Sequence, residues 1–288
     1  MAYGQAEQAR EAPPDEMAPV LGWDDFMTYV LGSPDPSMRW AQNQHMALVG
    51  CTDSGKSTAL HAMLPLRKYV TFFGTKIHDQ TLETYTADGT YQRIRDWPPV
   101  KGHGPVRRPA TADDMPRRLL WPDVSSLEAV PQTAPVFNRA VSDIYGAGGW
   151  CVVWDEFWLQ CEILKMRQTA KIMLQQARSN DISMVMGMQR PAWIPPEVFD
   201  QTRHLMFWKD NDELNLKRIG NVGWLASGPI RSFVANLDPF QALYVNNRTG
   251  FMYRTTAPQL GLCSRPEHKR RTVGAMTGEV ERRGLTPA

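Results

Sequence analysis

Short apolar runs, separated by longer stretches of mixed polarity, set the pattern of the chain. Those at 45–50 (HMALVG), 69–74 (YVTFFG), 150–154 (WCVVW), 183–189 (SMVMGMQ) and 205–208 (LMFW) do not alternate with polar residues. Strands that are apolar on both sides belong inside a parallel sheet covered on both faces. Residues 119–121 add a brief further strand. Between the runs, residues 56–66, 133–146 and 157–178 have helical pattern and propensity, and the last of these holds no internal Gly or Pro to break it. Residues 21–31 predict a short helix stopped by Gly32-Ser33-Pro34, and the stretch after Lys76 reads as helix or loop. Late in the chain, residues 242–245 and 251–255 flank the turn-forming segment Asn246-Asn247-Arg248-Thr249-Gly250, as the arms of a β-hairpin do. Strands alternating with helices predict an α/β domain with a mostly parallel sheet, helices on both faces and a C-terminal β-hairpin.

The remaining segments divide the chain. Residues 1–20 mix Ala, Glu, Gln and Pro without a sustained apolar face and read as a disordered leader. Residues 21–262 read as one domain, within which the Pro-, Gly- and Arg-rich stretch 97–116 is a surface loop or small insertion. Residues 263–288 read as a flexible basic tail. Hydrophobic residues at 42% of 288 supply enough apolar surface for one packed core. A net charge of +2 places no global demand for a nucleic-acid partner, although balanced totals leave room for a local basic face such as Lys101, Arg107, Arg108, Arg117 and Arg118. The four cysteines form no C-x-x-C pair, which argues against a zinc site or a disulfide framework and for a reducing cytoplasm. No run approaches the roughly 18 apolar residues of a spanning helix, so no membrane span is expected. His45, His61, His78, His103, His204 and His268 show no paired metal spacing and read as packing or surface residues.

The chemistry is concentrated after the first strand. Gly50, Cys51, Thr52, Asp53, Ser54, Gly55, Lys56 and Ser57, followed by Thr58, satisfy the P-loop pattern G-x-x-x-x-G-K-[ST]. Glycines let backbone N–H groups wrap phosphates, the helix N-terminus adds its positive end, Lys56 reaches the β- and γ-phosphates of ATP, and Ser57 binds Mg2+. The run ending at Trp154 delivers Asp155 and Glu156, a Walker B arrangement. If it is a parallel strand neighbouring the P-loop strand, Asp155 joins the magnesium shell and Glu156 polarises the attacking water. Gln189 closes the next apolar run, where a polar side chain can touch both the γ-phosphate and that water. Arg178, just before the same run, suits an arginine finger on a neighbouring subunit's nucleotide or the solvation of a helix end.

Residues 171–191 (KIMLQQARSNDISMVMGMQRP) resemble the FtsK/HerA superfamily of ring-forming, DNA-pumping ATPases, in which an Arg, a polar turn, an apolar strand and Gln-Arg-Pro follow Walker B. The P-loop entry from Asn43-Gln44-His45 and the run 69–76 are similar to that group as well, so the resemblance spans residues from about 39 to 255. It implies a RecA-like P-loop fold, double-stranded DNA as the moved substrate, a homo-hexameric ring and a portal, pore or relaxase partner. It further implies Lys56, Glu156, Gln189 and Arg178 as catalytic residues. The long membrane-spanning region and winged-helix module of cellular FtsK have no counterpart here, which points to a compact packaging or DNA-transfer ATPase in a bacterial or phage-infected cell, or carried in a virion. Two other functions fit a P-loop: a phosphoryl-transfer enzyme with a substrate lid, or a nucleotide-gated assembly factor without processive motion.

Overall fold

A computed structural model describes residues 15–98, 117–191, 195–220 and 227–258. Among the described residues nine strands form one sheet: β1 (Met46–Val49), β2 (Val70–Phe73), β3 (Tyr91–Ile94), β4 (Arg117–Leu120), β5 (Cys151–Trp154), β6 (Ser183–Met188), β7 (His204–Trp208), β8 (Gln241–Asn246) and β9 (Met252–Thr256). Their order is β3-β4-β2-β5-β6-β1-β7-β8-β9. From β3 to β7 every pairing is parallel, while β8 joins β7, and β9 joins β8, antiparallel as the expected hairpin. The doubly apolar runs became β1, β2, β5, β6 and β7, in which every residue is buried.

Alternation along these strands feeds two apolar layers. On β2, Phe72 points to the face that holds Leu60 and Tyr91, and Phe73 to the face that holds Phe137 and Trp154. Cys151 and Val153 of β5 follow Phe72, whereas Val152 and Trp154 follow Phe73. The first face is covered by α1 (Lys56–Met63) and α2 (Gln80–Ala87), and the second by α3 (Ala134–Ala147), α4 (Phe157–Glu162) and α5 (Arg167–Gln176). Three further helices among the described residues, α6 (Pro196–Gln201), α7 (Glu213–Gly220) and α8 (Ser227–Asn236), complete the second layer. Each large side chain buried this way contributes about 1.5–3 kcal/mol, so register and layer choice are strongly determined. None of the helices among the described residues is long and apolar enough to cross a membrane.

Several expectations are corrected. The helix expected over 157–178 is interrupted between α4 and α5, where Lys165 takes a left-handed φ of 56°, and its end tightens to a 3-10 turn at Ala177–Asn180. Residues 15–20 are not a free leader: Ala18 is buried, the Leu21 amide donates to the Arg254 carbonyl, and the Arg254 guanidinium pairs with Asp15 at 2.6 Å. Trp97 is not a surface-loop residue but core, donating its indole N–H to Asp143 at 2.9 Å. Arg117 and Arg118 lie half-buried on β4, with Arg118 over the rings of Trp97 and Trp150 at 5.6 and 5.5 Å, rather than on an open basic loop. Residues 1–14, residues 99–116 with Lys101, Arg107 and Arg108, and the 263–288 tail lie outside the described residues.

Candidate functional site

β1 ends at Val49, and the chain turns at once into the P-loop. Gly50 sits where no side chain fits, since a methyl there would stand 2.8 Å from both Ser54 Oγ and Trp208 Cβ. Its amide donates to the Met188 carbonyl at 3.0 Å, tying the loop to the end of β6. Gly55, at φ 94°, supplies the left-handed residue that redirects the chain into α1. Lys56 follows, buried, with Nζ donating to the Gly50 carbonyl at 3.3 Å, so the ammonium lies back across its own loop. Burial lowers its pKa, and the carboxylates of Asp155 and Glu156 oppose that shift.

Asp155 and Glu156 follow the carboxyl end of β5, but β5 is not the neighbour of β1. The strand β6 lies between them. That insertion places Gln189, the residue after β6, between the P-loop and the two acids. Its amide Nε2 donates to both Glu156 carboxylate oxygens at 3.3 Å. Asp155 is buried, and desolvation pushes its carboxyl up to about 6 against the pull of Lys76 and Lys56. Its Oδ1 has no hydrogen-bond partner among the described residues.

Two residues that the motifs did not single out complete the cleft. Lys76, just past β2, places Nζ 3.1 Å from Asp79 Oδ2 and 3.6 Å from Glu156 Oε1. Partial burial works against its charge, yet Asp79, Asp155 and Glu156 together raise its pKa. Asp79 also caps α2, accepting from the Thr81 and Leu82 amides at 3.0 and 3.2 Å. The Trp121 indole N–H donates to the Lys76 carbonyl at 2.7 Å and fixes the backbone from which the ammonium projects. Because β2 pairs with β5, Lys76 and Glu156 emerge side by side; the signal in the sequence was a cation just beyond a strand's carboxyl end, where open α/β sheets bind ligands. Cys51 to Thr58, His61, Lys76, Asp79, Asp155, Glu156 and Gln189 line a cleft of about 270 Å3. His61 belongs to its floor as a packing residue, stacked on Phe72 and bonded to the Tyr91 hydroxyl at 2.7 Å, with burial holding its pKa near 4.

Arg178 is not in this cleft. It stands exposed in the 3-10 turn before β6, at the amino ends of the strands, while Gln189 follows the carboxyl end of the same strand. A strand of this length separates them by roughly 20 Å. Within one chain the two side chains cannot meet at one ligand atom.

The donors suit Mg2+. Asp155, with an unpartnered oxygen, and the Ser57 hydroxyl offer hard oxygen donors, and among the described residues no three His, Cys, Asp or Glu gather to form an all-protein cage. Magnesium, which keeps several waters and shares its shell with phosphates, fits so sparse a set.

Asp155 depends on a glycine. A methyl at Gly187 on β6 would stand 2.9 Å from Asp155 Oδ1 and closer still to its carbonyl oxygen. Gly187→Ala is therefore expected to lose about 1–3 kcal/mol of stability by overpacking and about 100-fold in hydrolysis by displacing the acid. Thermal unfolding and phosphate release measure both; an unchanged pair contradicts the placement of Asp155.

No protein-family model and no curated protein matches the sequence. Among solved structures, the DNA-packaging ATPase B204 from Sulfolobus turreted icosahedral virus superposes with a TM-score of 0.53 over 76% of this chain and 100% of that one, at 14% identity. The chain shares the fold of B204. A second structure, the genome packaging NTPase B204 from Sulfolobus turreted icosahedral virus 2 in complex with AMP, gives 0.50 over 75% and 98% at 13% identity. The bacterial conjugative coupling protein TrwB gives 0.47 over 88% and 91% at 11% identity. The fold common to B204 and this chain is the RecA-like P-loop fold, and the cleft lined by Lys56, Asp155, Glu156 and Gln189 stands at the carboxyl ends of its parallel strands.

Proposed function

We propose that the chain is an ATP-hydrolysing motor of FtsK/HerA type that packages or transfers double-stranded DNA as a homo-hexameric ring. The observation that carries this reading is the meeting, in one cleft, of Lys56 from the P-loop, Asp155 and Glu156 from β5, and Gln189 from the strand inserted between them. B204, with the same fold, is a DNA-packaging ATPase and has been captured with AMP.

In the proposed mechanism the P-loop amides and Lys56 hold the β- and γ-phosphates, the ammonium leaving the Gly50 carbonyl to do so. Ser57 and Asp155 would hold Mg2+, which would supply positive charge to offset that of the phosphates. Glu156 accepts a proton from the attacking water as that water bonds to the γ-phosphorus and the bond to ADP breaks. Gln189 and Lys76 hold the Glu156 carboxylate and aim it. Arg178, remote from its own cleft, serves the cleft of the adjacent subunit, where it stabilises charge on the transferring phosphoryl group. DNA passes through the ring toward a portal, pore or relaxase, and the protein acts in the cytoplasm of a bacterial or phage-infected cell or within the virion.

Steady-state hydrolysis with and without duplex DNA tests the proposal. A several-fold rise with DNA, weakening as salt is raised, is expected of a motor that grips phosphates. Hydrolysis insensitive to DNA of every length points to an assembly factor, and phosphate transfer to a small acceptor points to a phosphoryl-transfer enzyme.

A further inference from the structure

The chain enters β8 through Asp238-Pro239-Phe240-Gln241, and the Gln241 amide donates to the Asp238 carbonyl at 3.1 Å. Proline in the second position and a positive φ in the third are the features of a type II turn, whose third residue is ordinarily glycine or asparagine. Here that residue is Phe240, at φ 64°. A bulky side chain is held in the left-handed region against a steric cost, and such cost collects where a ligand is gripped. Core packing does not account for it, because the side chain remains 46% exposed.

What the ring borders is the P-loop. A methyl at Gly55 would stand 3.5 Å from Phe240 Cδ1 and 3.7 Å from the Trp208 indole nitrogen. Phe240 and Trp208, from the ends of β8 and β7, thus wall the loop on one side. Asp155, Glu156 and Gln189 stand on the other, at the ends of β5 and β6. A nucleoside triphosphate lying in the loop with its γ-phosphate toward Glu156 directs its opposite end, the nucleoside, toward β7 and β8.

The geometry points to Phe240 as the platform on which the base of the bound nucleotide stacks. This rests on the nucleotide-binding reading and adds the part of the ligand that the phosphate motifs leave unspecified: an aromatic base. The ring offers a π-face and no hydrogen-bonding group, so it favours any nucleoside triphosphate over inorganic polyphosphate and separates the bases only weakly.

The test uses the full chain and Phe240→Gly. Glycine accepts φ 64° without strain, so the variant should unfold at the same temperature as the parent or higher. Calorimetry with Mg·ATP and with Mg·tripolyphosphate reads the site. The variant is expected to bind ATP about tenfold or more weaker with unchanged affinity for tripolyphosphate, and Phe240→Tyr to bind both like the parent. An unaltered ATP affinity overturns the assignment; so does an equal loss for both ligands, which would make Phe240 a prop for the loop. A parent chain that binds tripolyphosphate and ATP equally rejects the platform alone, whereas one that binds neither rejects the nucleotide site itself.

Discussion

Glu156→Gln should bind ATP as the parent chain does and hydrolyse it about 10² to 10⁴ times more slowly. The carboxylate is held by the Gln189 amide at 3.3 Å and the Lys76 ammonium at 3.6 Å, so its position is set by neighbours that a carboxamide of equal size leaves in place. What the carboxamide lacks is the capacity to accept a proton from water. Lys56→Ala should behave differently, because its buried ammonium lies directly on the loop proposed to take the phosphates, and its removal is expected to weaken binding as well as turnover. Nucleotide binding by calorimetry and phosphate release by a coupled assay separate the two phenotypes. Near-parental turnover by Glu156→Gln removes this residue from catalysis and leaves Asp155 or Lys76 to be tried next.

Arg178→Ala should bind ATP and assemble almost normally but lose on the order of 10³ to 10⁵ in rate, the contribution that an arginine finger makes to a P-loop site. Arg178 stands at the amino ends of the strands and its own cleft at the carboxyl ends, so a large effect on hydrolysis can reach only a neighbour's nucleotide. Mixing makes this decisive. Where an Arg178→Ala subunit supplies the intact P-loop and a Lys56→Ala subunit supplies the intact finger, a working interface is rebuilt and activity returns. Mixed assemblies, verified by native mass spectrometry to contain both variants, that stay as inactive as either parent variant contradict independent finger action in trans. A loss of activity steeper than the mutant fraction, on doping into the parent chain, then shows that the interfaces act together.

The central strands were legible because being apolar on both faces leaves a segment such as MALV or CVVW few alternatives to the middle of a parallel sheet. The P-loop was legible because its geometry dictates residue types at fixed spacing. Strand order was not: nothing local in the chain says that β6 inserts between β1 and β5, and that insertion is what brings the Gln189 amide onto Glu156. β3 escaped notice because only Tyr91 and Ile94 of YQRI are buried at the sheet's edge. The break between α4 and α5 carries no Gly or Pro; Lys165 takes the left-handed conformation under tertiary packing of the flanking Leu164 and Met166. α7 and α8 are short helices lying between the clearer strands β7 and β8. Lys76 and Asp79 belong to no motif and acquire their place only when β2 pairs with β5.

Whether hydrolysis in this cleft moves DNA is tested most directly by displacement of a third strand from duplex DNA. A labelled oligonucleotide bound as a triplex at one end of a linear duplex is released only when something travels along the duplex and strips it. The parent chain with ATP and magnesium is expected to release it in a time that grows with the distance to the triplex, and Lys56→Ala and Glu156→Gln to leave it in place. An active ATPase that binds the duplex yet never releases the third strand, whatever the length or salt, contradicts the motor.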